Sequence, residues 1–211
     1  MTVRVLLLFL LLFLEAVPVS AAQVQGPQPR EGDVWRFQVS HKDWIEWSSE
    51  EIQSGDYEVS YTQGKLKVVS LSNSAKGEIG DTAAAPLRRL LGPFKGQSAL
   101  LQFPLFESKK WKTRYAIGRG GTVTTDHLVT ATKSIDIPAG TFEAFKIERY
   151  ARVSGRYGRV YTSEYFYVVA CGCIALYSLE ITSGPSVWPR RYIGKREITL
   201  IEFRPMKDQV S

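Results

Sequence analysis

Asp126 and His127 are neighbours in TVTTDHLVT, and His41 stands two residues before Asp43 in SHKDW, so acid and imidazole come close in sequence twice. An acid that orients a histidine, with a hydroxyl at the other ring nitrogen, is the arrangement of nucleophilic hydrolysis. Adjacent residues of a strand point to opposite faces, so Asp126 and His127 are not expected to meet. His41 and Asp43 would share a face if extended, but no hydroxyl partner is signalled, and both pairs read as ordinary polar residues. Glu50 and Glu51 lie in SSEEIQSGD, a polar loop by composition. Two carboxylates do glycosidase chemistry only when held a set distance apart across a cleft, and nothing in this spacing supplies that. The chain contains no GxSxG, HExxH, GxxxxGKS/T or CxxC. The expectation is a protein without catalytic residues. An unrecognised hydrolase is the alternative, to be revived if a histidine is found between an acid and a hydroxyl inside a pocket.

Cys171 and Cys173 flank Gly172 in VVACGCIAL. In an extended strand their α-carbons would stand about 7 Å apart, at the limit for a disulfide. Two readings stay open: a pair of free thiols, which the spacing favours, or a strained, reducible disulfide if Gly172 bends the chain. His41 and His127 are the only histidines, too few ligands for a zinc site, so no metal and no cofactor is expected.

Aromatic residues are more informative. Tyr157, Tyr161, Tyr165 and Tyr167 in YGRVYTSEYFYVV are separated by even numbers and share one face of a regular strand. Tyrosine joins an apolar ring to a polar tip, which suits the mouth of an apolar groove or a glycan platform; the simpler reading is core packing or cross-strand pairing. The formal charge of +6 is spread along the chain, dense only in KKWKTR at 109–114 and PRRYIGKR at 189–196. Such a balance points to anionic headgroups, acidic glycans or an acidic partner sooner than to nucleic acid, and most simply to a solvated basic surface.

The elements that must position these residues are strands. Period-two alternation rich in Tyr, Val, Ile, Thr and Phe runs through DVWRFQVS, DYEVSYT, KLKVVSL, WKTRYAIG, TVTTDHLVTATKSIDIP, TFEAFKIERYARV, YGRVYTSEYFYVV, CIALYSLEIT and KREITLIEF. Gln63-Gly64, Pro-Ala-Gly at 138–140, Ser-Gly-Arg, Cys-Gly and Ser-Gly-Pro-Ser between them are turn chemistry. In IDIPAGTFEAFKIERY, Pro138 ends one strand for want of an amide hydrogen, Gly140 takes a positive φ, and Thr141 restarts the pleat. A phosphate loop would open a helix there, and the residues that follow carry aromatics and no cap. One stretch reads differently: AAAPLRRLLGPFKG at 83–96 predicts a short helix with Pro86 in its first turn and Gly92-Pro93 as its stop. Leu87, Leu90 and Leu91 would share its apolar face, opposite Arg88 and Arg89. It would serve as a core plug or a movable lid.

At the N-terminus Arg4 precedes an apolar run from Val5 to Leu14, followed by small residues. This is the pattern of a secretory signal peptide over residues 1–22, cleaved after Ala21 or Ala22. The run is shorter than the ~20 residues of a membrane-spanning helix. Residues 23–31 read as a mobile lead-in and 32–206 as a single β domain.

Taken together, Gly32, Asp33 and Trp35; Phe103, Pro104 and Leu105 with Lys109 and Trp111; the run from Ile137 to Ile147; and Tyr165, Phe166 and Tyr167 before Gly172 resemble the motifs of a loosely defined family of bacterial exported proteins of unknown function. Phe166 stands where that family has Trp, and Val169-Ala170 where it has proline. The resemblance implies a strongly curved antiparallel sheet, similar in look to the half-barrel of periplasmic lipoprotein carriers, and it places Cys171 and Cys173 around a hairpin turn. Fold alone does not confer function.

The resulting expectation is an all-β, strongly curved antiparallel meander, a half-barrel or open barrel, with one short helix across or beside it. The protein would be exported, periplasmic or secreted, with no membrane span after cleavage and no nucleic-acid partner. Its concave face would bind an apolar or lipid-like molecule or an envelope partner, with Trp35, Trp111, Tyr165, Tyr167, Leu90 and Leu91 lining or rimming it. The alternative is an assembly protein that docks an acidic surface through the basic runs near Lys110 and Arg190.

Overall fold

The nine alternating segments, with one further two-residue strand, form ten strands in the computed structural model, which describes residues 28–42, 52–72, 77–91, 100–117, 121–154, 159–183 and 192–206. Residues 1–22, where a signal peptide is expected, with Ala21 and Ala22, lie outside the described residues, as do Asp43, Glu50, Glu51, Gly92, Pro93, Tyr157 and Arg190. The strands are β1 (Val34–Lys42), β2 (Gly55–Thr62), β3 (Lys65–Ser70), β4 (Gly77–Glu78), β5 (Lys110–Ile117), β6 (Gly121–Ile137), β7 (Gly140–Ser154), β8 (Arg159–Val168), β9 (Cys173–Ser183) and β10 (Tyr192–Arg204), with α1 (Asp81–Arg89) between β4 and β5.

All ten strands belong to one open sheet in the order β4-β3-β2-β1-β10-β9-β8-β7-β6-β5, each antiparallel to its neighbour. Two meanders, β1–β4 and β5–β10, are therefore joined by the pairing of β1 with β10, in which Trp35 lies opposite Phe203. The chain crosses from one edge of the sheet to the other between β4 and β5, and α1 lies on that crossing. The sheet is strongly curved. Three strands separate β10 from β6, a spacing of about 19 Å in a flat sheet at ~4.8 Å per strand. Yet α-carbons of the two approach within 8 Å across the concave side. Offsets in pairing after Arg36, Val129, Phe166 and Tyr192 supply local bends.

The turns follow from their residues. Gln63 and Gly64 both take positive φ, 51° and 72°, and close the two-residue hairpin between β2 and β3. Pro138-Ala139 reverses the chain between Ile137 and Gly140, and Gly140 has φ 129°. The stretch after Thr141 is the extended strand β7.

Helix α1 begins two residues earlier than the composition suggests, and Pro86 lies inside it instead of in its first turn. Ala84 already closes the first turn by donating to the carbonyl of Gly80 at 2.9 Å, and alanine favours helix more than any other residue. Leu87, Leu90 and Leu91 are buried, so the helix covers the concave side with its apolar face. Its end is tied down by the amide of Ile174, which donates to the carbonyl of Leu90 at 2.6 Å. Among the described residues no helix is long and apolar enough to cross a membrane.

Cys171 and Cys173 form a disulfide, and the reading of two free thiols gives way. The chain there is not extended. Gly172 at φ 60° turns it, and the α-carbons come to 5.2 Å, within the usual range for a disulfide. The lead-in is also held at its inner end: Asp33 accepts from the amides of Arg30 and Met206, at 2.8 and 2.9 Å, and Glu31 accepts from that of Gln63 at 2.7 Å.

Candidate functional site

Strand pairing lines up one inward-facing row across the sheet: Trp111, His127, Arg149, Ser163, Leu179, Arg196 and His41, each opposite the next. Each sits in phase with the apolar residues of its strand, so period two alone places these polar groups on the concave side. Arg149 shares its face with Ile147 and Ala151, both fully buried, and Arg196 with Ile198 and Leu200.

The row is knit by polar contacts. The His127 ring stacks on Trp111 with centroids 4.6 Å apart and planes 7° apart. Its Nδ1 lies 3.0 Å from the hydroxyl of Tyr165, and that hydroxyl donates to the carbonyl of Leu100 at 2.5 Å. A phenol has one proton to give, so Nδ1 carries the hydrogen and donates to the Tyr165 oxygen. Nε2 is then the lone-pair nitrogen, and it is buried without a hydrogen-bond partner. Burial, and next the Arg149 charge, push the His127 pKa down to about 3, so the ring is neutral at physiological pH. Burial likewise raises the Tyr165 and Tyr167 hydroxyls above the ordinary phenol value. Further along, Arg149 reaches the Ser163 hydroxyl at 3.4 Å, Ser163 lies 3.5 Å from the Tyr177 hydroxyl, and Nε of Arg196 donates to Nε2 of His41 at 2.8 Å.

Asp126 and His127 do not come together as an acid–imidazole pair. Asp126 faces outward and pairs with Lys112 at 3.1 Å, while His127 faces inward and finds a hydroxyl but no hydrogen-bonded carboxylate. His41 accepts from Arg196, and Asp43 lies outside the described residues. Among the described residues no three His, Cys, Asp or Glu side chains gather as a metal site would require.

Between α1 and the concave face lies a cavity of about 290 Å³. Leu90, Leu100, Val123, Val153, Leu179 and Ile198 give it apolar walls; Tyr115, Tyr161 and Tyr177 add rings; Arg89, Arg149 and Arg196 add charge. No aspartate or glutamate is among these lining residues. Tyr115 is 41 % exposed and Arg89 is exposed as well, which marks the mouth.

Of the residues expected to line the concave face, Leu90 borders this cavity. Trp111 and Tyr165 stand in the neighbouring wall through His127. Leu91 is buried in the core, and Tyr167 packs edge-on to Phe103 at 5.3 Å. Trp35 is not among the residues that line the cavity. Its indole donates to the carbonyl of Cys171 at 2.9 Å, its ring stacks on Phe203, and it borders a separate recess of about 200 Å³. Lys109 ties the segment before β5 to that strand, donating to the carbonyls of Gln102 and Pro104 at 2.5 and 2.6 Å while lying over the Trp111 ring.

A wider groove of about 820 Å³ opens on the other face of the sheet. Its border takes three successive residues from each of β5 to β8, and the outward ones are Lys110 and Lys112 with Asp126, Leu128, Glu148, Tyr150, Thr162 and Glu164. Both signs of charge meet there, with Lys112 on Asp126 and Lys146 on Glu148 and Glu164.

Arg149 passes in the sequence for one of the dispersed surface charges, and Arg196 for the end of the basic run at 189–196. The signal was present: each is a charge in phase with the apolar positions of its strand.

No family model matches the chain, and no curated protein sequence does. Among solved structures it is similar to the hypothetical lipoprotein YmcC from Escherichia coli K12, at TM-score 0.40 and 11 % identity over 83 % of this chain and 86 % of that one. It is also similar to a candidate lipoprotein from Parabacteroides distasonis, at TM-score 0.36 and 13 % identity over 84 % and 97 % of the two chains. A candidate exported protein with a YmcC-like fold from Bacteroides fragilis gives TM-score 0.37 and 10 % identity over the same shares.

Proposed function

We propose that this is a non-catalytic protein of an extracytoplasmic compartment that holds an apolar or lipid-like molecule on the concave face of its sheet, beneath α1. The observation that carries the reading is the cavity between α1 and β5–β10, whose walls are largely aliphatic and aromatic, interrupted by the polar heads of Arg89, Arg149 and Arg196. Binding sites for small molecules share that make-up, and 290 Å³ stands at the small end of their range. The Cys171–Cys173 disulfide suits an oxidising compartment and accords with the leader expected over residues 1–22. In this reading Leu90 touches the ligand, while Trp111 and Tyr165 hold the wall behind it. Leu91, Tyr167 and Trp35 keep the lid and the turn at residues 171–173 in place.

The test is uptake of an uncharged fluorescent probe, N-phenyl-1-naphthylamine, by the mature protein and by Val153→Trp. Val153 is half-buried on the cavity wall, so a larger ring there occupies ligand space without opening the core. Expected is probe uptake by the parent and its loss in the variant, with an unchanged far-UV spectrum. Equal uptake by both proteins, each well folded, would overturn the reading.

A further inference from the structure

Charge is the unusual property of this cavity. Among its described lining residues are three arginines and no carboxylate. A guanidinium in a partly dry, apolar setting is stable only with a counter-charge or a full set of acceptors. Arg149 has neither: its Nε is buried with no hydrogen-bond partner, and its one side-chain contact, to the Ser163 hydroxyl, is long at 3.4 Å. None of the ion pairs formed by described residues includes it. Its charge remains strong enough locally to help depress His127. Arg196, itself buried, faces the same space beside Leu179, and Arg89 stands at the mouth. The hydroxyls of Tyr161 and Tyr177 are further donors on the same lining.

We infer that the ligand is a single-chain anionic amphiphile whose carboxylate or phosphate head is held by Arg149 and Arg196, with its chain along Leu90, Val123, Val153 and Ile198. This rests on the proposed function and specifies the ligand class of that same cavity. The planar guanidinium suits both head chemistries, since each accepts two parallel hydrogen bonds from it. A volume of about 290 Å³ admits one modest chain and is too small for a two-chain lipid.

The experiment compares ligands of one chain length by calorimetry on the mature protein: decanoate, decyl phosphate, decanol, decylammonium and inorganic phosphate. Decanoate or decyl phosphate should bind about tenfold or more tightly than decanol, and decylammonium and inorganic phosphate should bind least. The better of the two anions identifies the head. Arg149→Gln should remove that advantage while decanol binding stays the same, and Arg149→Lys should restore part of it. If decanol binds as well as the anions, the head-group inference fails and the apolar-cavity reading stands. If inorganic phosphate matches decyl phosphate, the site takes a bare anion and the inference fails. If no ligand with a chain binds, both readings fail. Should Arg149→Gln not fold, the ligand series on the parent protein still decides.

Discussion

The hydroxyl of Tyr165 lies 3.0 Å from Nδ1 of His127 and donates to the carbonyl of Leu100, so a single phenol joins β6, β8 and the segment that follows α1. Tyr165→Phe keeps the buried ring and removes these bonds, leaving the His127 Nδ1 hydrogen without its partner. Loss of about 1–3 kcal/mol is expected, read from the midpoint of urea unfolding. An unshifted midpoint would mean that water replaces the hydroxyl at no cost.

His127 titrates near pH 3 when folded and near pH 6.5 when unfolded. Below pH 6.5 the unfolded chain takes up a proton that the folded ring refuses. The stabilisation is thus complete above pH 6.5, is lost as pH falls towards 3, and changes no further below that. The limiting slope is about 1.4 kcal/mol per pH unit for this one group. His127→Phe should flatten that part of the stability profile, and the His127 ring signals in an NMR titration should stay at their neutral positions at pH 5. A ring that protonates near pH 6.5 in the folded protein would refute the dry, unpartnered Nε2.

Two glycines offer a matched pair. At Gly64, φ 72°, an added Cβ meets nothing within 4 Å, so Gly64→Ala costs only the left-handed backbone, about 1 kcal/mol. At Gly140, φ 129°, the added Cβ lies at an ordinary 3.6 Å from the Phe142 ring, but the backbone conformation is one that residues with a side chain rarely adopt. Gly140→Ala should cost more, roughly 1–3 kcal/mol. Equal denaturation midpoints for the two variants would contradict this ranking.

The disulfide closes a loop of only three residues, so chain entropy gives it roughly 1–2 kcal/mol. Its local effect should be larger. The turn it closes presents the Cys171 carbonyl to Trp35 and precedes the Ile174 amide that holds Leu90. With Cys171→Ser and Cys173→Ser combined, hydrogen exchange at Ile174 should accelerate more than at β7 core amides. Uniform acceleration would show that the turn does not anchor the helix end.

Strands were legible because each buries one face: in KIERYARV the alternation of Ile147, Ala151 and Val153 needs no partner to be seen. Strand β4 escaped notice, since Gly77–Glu78 is two residues long and has no period. The pairing of β1 with β10 escaped too, because Val39 and Ile198 meet only through tertiary structure and nothing local encodes that register. The site was half legible. Leu90, expected on the apolar face of a short helix, borders the cavity, whereas Arg149 passed for a dispersed charge and Arg196 for part of a surface run, when their phase along the strand was the informative quantity. The disulfide turned on Gly172 leaving the extended conformation, which spacing alone does not decide.

Because β1 lies between β2 and β10, the middle of the sheet is completed by the last strand to be synthesised. Until residues 192–204 emerge, β1 carries a bare edge, and the first four strands have nothing on that side to pair with. Pairing between residues so distant in sequence is the kind that slows folding. A chain cut short before Tyr192 would lack the thirteen-residue strand that joins β1 to β9, leaving two unjoined halves with bare edges open to aggregation.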